Sequence, residues 1–167
     1  MSDREAEVLV AVQTALAKPP AVRAARMLSF FGEHSAGWVA LGVAGWLVDR
    51  RRRPEWTVAA TSVVAAHATS IVVKRLIRRR RPHHAGVQVL AGTPSKLSFP
   101  SSHATSTTAA AIAYGALTNQ PLVPLLVPPM AISRLVLGVH YPTDVLAGAV
   151  LGAVVARGVR RLVWGHQ

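Results

Sequence analysis

The run WTVAATSVVAAHATSIVV, residues 56–73, carries no formal charge and lies between the arginines Arg50 to Arg53 and Lys74. A helix needs ~20 apolar residues, ~17 at the short end, to cross the roughly 30 Å core of a bilayer. This run is long enough to be a span. Residues 27–48, MLSFFGEHSAGWVALGVAGWLV, form a second one, interrupted only by Glu33 and His34 and stopped by Asp49. Shorter apolar stretches follow at 104–117, 121–132 and 145–156. The middle one is broken by Pro121, Pro124, Pro128 and Pro129, and the last is closed by Arg157, Arg160 and Arg161. In lipid the backbone must satisfy its own polar groups, which favours helices. The pattern therefore predicts an all-α fold: an integral-membrane helical bundle of about five to six helices, with residues 1–167 as one domain. Gly148 and Gly152 have the G-x-x-x-G spacing that lets membrane helices approach closely. Chance explains it equally well in so glycine-rich a stretch.

Residues 1–26 read differently. Within EAEVLVAVQTALA, residues 5–17, Val8, Val12 and Leu16 recur at helical spacing between charged ends. That predicts an amphipathic N-terminal helix lying at the interface. The acidic Asp3, Glu5 and Glu7 are the wrong charge for a secretory signal. The formal net charge of +12 calls for an anionic partner. Nucleic acid fits poorly, because the cations are spread between apolar runs, without one basic face or aromatic platforms. A lipid phosphate and the surrounding membrane lipids fit better. Cysteine is absent, so thiolate metal sites are excluded.

Polar clusters stand at the ends of these apolar runs. Lys74 is followed by Arg81-Pro82; Pro100-Ser101-Ser102-His103 opens the third run; Ser133-Arg134 precedes His140 and Asp144. A phosphate needs cations and forked donors, which Lys74, Arg81 and Arg134 supply. The Ser101 hydroxyl and the amides of Ser102 and His103 begin a helix, whose N-terminus is an anion site. One histidine can attack phosphorus while an acidic neighbour holds its other ring nitrogen. Asp144, one helical turn after His140, suits that role. His103 can protonate the departing oxygen and later activate water.

The order and spacing resemble the type 2 phosphatidic acid phosphatase superfamily, whose pattern is K-x6-R-P, P-S-G-H and S-R-x5-H-x3-D. The match runs from Lys74 to Asp144, and one position departs from it: Ser102 stands where the family has glycine. Among the subfamilies, the short, arginine-rich form with P-S-S-H is similar to actinobacterial decaprenylphosphoryl-phosphoribose phosphatases. The resemblance implies hydrolysis of a lipid-linked phosphate through a phosphohistidine, with His140, His103 and Asp144 catalytic. Lys74, Arg81, Ser101, Ser102 and Arg134 would bind phosphate, and no metal or other cofactor is expected. A phosphotransferase using the same site, and a non-catalytic protein that binds acidic lipids, are the alternatives. The remaining arginines read as headgroup contacts or topology signals. Ser133 reads equally as a serine bonding its own helix. His67 is costly inside a span and calls for a partner. His83 and His84 read as a solvated loop.

Overall fold

The computed structural model describes residues 2–165, whose regular elements are all helices apart from an isolated bridge between Arg80 and Leu97 in the long connection after residue 77. The α-helices are α1 (Ser2–Leu16), α2 (Pro19–Phe31), α3 (Ala36–Val48), α4 (Arg53–Ile77), α5 (Ser102–Thr118), α6 (Leu122–Val136) and α7 (Pro142–Trp164).

The run 27–48 is two helices, not one. Pro19 and Pro20 start α2 at the first helical positions, where a missing N–H costs nothing. Gly32 ends it, its N–H bonding back to the Leu28 carbonyl. His34 (φ 48°) and Ser35 (φ 59°) then turn the chain through consecutive left-handed residues before α3 begins. Non-glycine residues in that region cost ~1–2 kcal/mol each, so the surroundings must hold this turn in place. At 13 residues α3 is ~20 Å long, short of a bilayer core. By contrast, α4 has 25 residues and α7 has 23, each more than 30 Å by the helical rise.

Thr105 to Ala111 of α5 are buried among α4, α6 and α7, making α5 the centre of the bundle. Its small side chains permit that position. A Cβ on Gly148 would come within 2.6 Å of the Ser101 carbonyl, and one on Gly152 would press still harder on Thr105. The G-x-x-x-G spacing is thus a real contact between α7 and α5. The Trp38 indole donates to Thr107 Oγ1 (3.1 Å), and the Tyr114 hydroxyl donates to the Trp38 carbonyl (2.8 Å), which ties α3 to the same core.

The outer faces reverse the order of a water-soluble bundle. Val64, Val72 and Leu76 on α4, and Leu146, Val150 and Val154 on α7, stand exposed at helical spacing. Apolar stripes of this kind mark a surface that meets lipid or a partner. The length and composition of α4 are those of a helix that can cross a membrane. The helix ends sort into two groups. Glu55, Leu117 and Arg160 line one cavity; Lys74, Ser102, Arg134 and His140 line another at the opposite end. At this second end lies α1, with Leu9 buried and the Gln13 side chain bonded to the backbone of Gln88 and Val136.

Candidate active site

Each polar cluster arrives at the same end of the bundle by its own local device. Arg78 closes α4 in a left-handed conformation (φ 55°) and sends the chain into the long connection 78–101. Lys74, in the last turn of α4, donates to the carbonyls of Pro100 (2.8 Å), Ser98 (3.3 Å) and Leu97 (3.4 Å). An ammonium has only three donors, so this lysine chiefly shapes the loop that leads into α5. Arg81 donates from Nε to the Ser95 carbonyl and from Nη1 to the Val139 carbonyl (2.8 and 2.7 Å). It clamps two loops together. Burial pushes its guanidinium down to about 10, against the pull of Asp144 and Glu33, so it stays charged at neutral pH.

Ser101 caps α5. Its hydroxyl accepts from the Ala104 amide, and its side chain is fully buried, so it turns away from the cavity. Ser102 faces the cavity instead, its hydroxyl hydrogen-bonded to that of Ser70 (2.8 Å). The His103 Nε2 lies 3.0 Å from the Ser29 carbonyl. A carbonyl can only accept, so Nε2 carries the hydrogen and Nδ1 is left to exchange a proton. The 32–35 turn presses on this ring: a Cβ on Gly32 would lie 2.8 Å from His103 Cδ2.

Ser133 donates to the Met130 carbonyl of its own helix. Arg134 is 2 % exposed, and its Nε and Nη1 have no hydrogen-bond partner among the described residues. Buried polar groups are nearly always paired, and a buried cation with open donors is a place for an anion. In His140 the roles of the ring nitrogens are reversed from those in His103. Its Nε2 lies 3.3 Å from Arg81 Nη1, and a guanidinium only donates, so Nε2 bears the lone pair. Nδ1 faces Asp144 Oδ2 at 3.6 Å, an ion-pair separation longer than a hydrogen bond. Burial first, then the charges of Arg81, Arg134 and Lys74, push this imidazole well below its ordinary value. His140 is therefore a neutral base with its free nitrogen among cations.

Lys74, Arg81, Ser102, His103, Arg134 and His140 all line one cavity of about 270 Å³. Asp144 stands behind His140, and Ser101 beneath the helix start. His83 and His84 are exposed and outside it. A sequence profile of the PAP2 superfamily matches residues 55–167.

The chain belongs to the PAP2 superfamily.

It is 58% identical over 145 residues to a decaprenylphosphoryl-5-phosphoribose phosphatase of Mycolicibacterium smegmatis, covering 86% of this chain and 81% of that protein. To the protein of the same name in Mycobacterium tuberculosis it is 52% identical over 164 residues, covering 98% and 93%. The fold matches that of the transmembrane PAP2-type phosphatidylglycerolphosphate phosphatase of Bacillus subtilis, with TM-score 0.74 and 22% identity. That alignment covers 96% of this chain and 87% of the other. The resemblance read from the clusters between Lys74 and Asp144 is borne out.

For this PAP2 protein, sequence reasoning missed Arg79. It was read with its neighbours as a headgroup contact, yet its Nη1 donates to Asp144 Oδ1 (2.9 Å) and Thr143 Oγ1 (2.7 Å). Its Nη2 pairs with Glu5 of α1, and its guanidinium lies 4.2 Å from the Tyr141 ring. Glu5 also accepts from the Thr143 hydroxyl and amide. Partial burial would raise the Glu5 carboxyl, but these bonds with Thr143 and Arg79 hold it below its usual range. The second oxygen of Asp144 accepts from the Tyr141 amide (2.8 Å). The chain Glu5–Arg79–Asp144 thus fixes the carboxylate behind His140 and ties α1 to the site.

Proposed function

We propose that this protein removes the terminal phosphate of decaprenylphosphoryl-5-phosphoribose, or of a closely related lipid-linked phosphate, without a metal. The chain is a phosphatase of lipid phosphates, in keeping with its family and its relatives. The observation that carries the finer reading is the pairing of Arg134, buried with open donors, with a neutral His140 whose lone pair shares its cavity. In the first step His140 Nε2 forms a bond to phosphorus as the phosphorus–oxygen ester bond breaks. His103, which takes up a proton on Nδ1 as the anionic substrate binds, gives it to the leaving oxygen. Asp144 stabilises the positive charge that His140 acquires. Arg134 and the first amides of α5 hold the equatorial oxygens, where a dissociative transition state spreads its charge. His103 then takes a proton from water, the water oxygen attacks phosphorus, and the phosphorus–nitrogen bond breaks to release inorganic phosphate.

The proposed setting is a multi-pass one in the cell membrane, with α4 and α7 as full spans and residues 2–26 against the catalytic end. We assign that end to the extracytoplasmic side. At the opposite end Arg50, Arg51, Arg157, Arg160 and Arg161 are exposed; at the catalytic end Arg75, Arg78, Arg80 and Lys96 are exposed as well, while Lys74, Arg79 and Arg81 are held by bonds within the site, so the balance tips only narrowly. Exposed cations near span ends favour the cytoplasm. Labelling of Ser95→Cys by an impermeant thiol reagent on intact cells tests this; protection until the cells are opened reverses the assignment. The chemistry is tested by phosphate release in chelator from decaprenylphosphoryl-5-phosphoribose, phosphatidic acid and a polyprenyl diphosphate. Release that vanadate blocks is expected, fastest from the ribose substrate. Activity that disappears with chelator and returns with a divalent cation would overturn the metal-free mechanism.

A further inference from the structure

The cationic end of the cavity is explained by phosphate, but its other wall is not. Glu33 and His34 enter it from the left-handed turn after α2, and His67 enters from α4. His67 lies two helical turns before Lys74, ~10 Å along the axis. The cavity therefore continues beyond the phosphate cradle along α4, leaving room for a group next to the phosphate. The His34 and His67 rings are 6.3 Å apart. Glu33 lies 3.7 Å from His34 Nδ1 and 3.8 Å from His103 Nε2.

A carboxylate in this position works against an anionic ligand, because it repels the phosphate that the cations attract. It offers acceptors only, and so suits hydroxyl groups, above all two neighbouring ones. The imidazoles beside it can both accept and donate, and His67 Nδ1 is buried with no hydrogen-bond partner among the described residues. The turn that carries Glu33 is held in an unfavourable backbone conformation at His34 and Ser35, as segments that aim side chains at a ligand often are. It also needs Gly32 to sit so close to His103.

We propose that Glu33, His34 and His67 form a subsite for the hydroxyl groups of a sugar attached next to the phosphate that is cleaved. This rests on the phosphatase reading and gives it a source of headgroup selectivity. Carboxylate-to-hydroxyl bonds that exist only with the sugar substrate discriminate by about ten- to hundredfold.

The test is steady-state phosphate release by the wild type, Glu33→Gln and His67→Leu on two substrates. One is a polyprenyl-phosphoryl ribose 5-phosphate; the other is a polyprenyl monophosphate, which has no sugar. The ratio of the two kcat/KM values should fall at least tenfold in Glu33→Gln, and in the same direction in His67→Leu. A ratio unchanged in both variants overturns the subsite, whether both activities persist or fall together; falling together would mean that Glu33 acts on His103 instead. If the wild type releases phosphate from neither substrate, the phosphatase reading itself fails, and the subsite with it.

Discussion

Replacing Arg134 by methionine separates a binding arginine from a structural one. The side chain is buried, and its Nε and Nη1 have no hydrogen-bond partner among the described residues. A hydrogen bond to a charged group contributes about 1.5–3 kcal/mol. Two such bonds formed to the transferring phosphoryl group amount to about 3–6 kcal/mol, or roughly 10²- to 10⁴-fold in kcat/KM. The effect on folding should have the opposite sign. Methionine keeps much of the volume and removes a buried cation that forms no ion pair among the described residues, close to Arg81 and His140 and with only Glu33 across the cavity to offset it. Breaking a buried pair is strongly destabilising, whereas removing an unpaired buried charge relieves its desolvation cost. Arg134→Met should therefore unfold in detergent at or above the wild-type temperature while losing at least two decades of kcat/KM. Arg134→Lys, which keeps the charge without the fork, should fall between. Near-wild-type turnover in Arg134→Met, or a large drop in its melting temperature, would refute the argument.

Arg79→Ala should lower kcat about ten- to hundredfold with little change in KM, since it acts through Asp144 and not on substrate, and Arg79→Lys should recover part of it. Glu5→Gln should show the same split more weakly. Gly152→Val should reduce the folded yield, because its side chain would force α7 off the Thr105 backbone; overpacking of this kind costs typically 1–3 kcal/mol, and detergent melting would read it. The depressed imidazole of His140 means that the unfolded chain binds the proton first as pH falls below 6.5. Stability is then lost on acidification below that value. His140→Gln should lose less than the wild type between pH 7.5 and 5 in the same melts.

The gathering of the site was legible where residue types recur at fixed spacings from helix ends. Lys74, Arg81, His103, Arg134, His140 and Asp144 come together because their spacings follow helix ends that all reach one end of the bundle. What the spacing left open was the use of each hydrogen bond. Nothing local distinguishes Arg79 from its neighbours in a run of four arginines; its partner Glu5 lies 74 positions away. Ser101 looked like a phosphate ligand because a cap and an anion ligand use the same hydroxyl. The break at 32–35 was visible as polar residues inside an apolar run, but the proline start of α2 that turns it into two helices reads equally well as a linker. The G-x-x-x-G of α7 needed the Ser101 and Thr105 carbonyls opposite before it meant more than composition.

The central claim is that His140 is the nucleophile of a metal-independent phosphatase. Phosphate release from polyprenyl-phosphoryl ribose 5-phosphate by purified wild type and His140→Ala, both in chelator and both verified as folded by thermal melting, tests it most directly. The account predicts sustained release by the wild type and a loss of at least about 10³-fold in the variant. Release by His140→Ala within tenfold of the wild type would contradict it and put the chemistry on another residue.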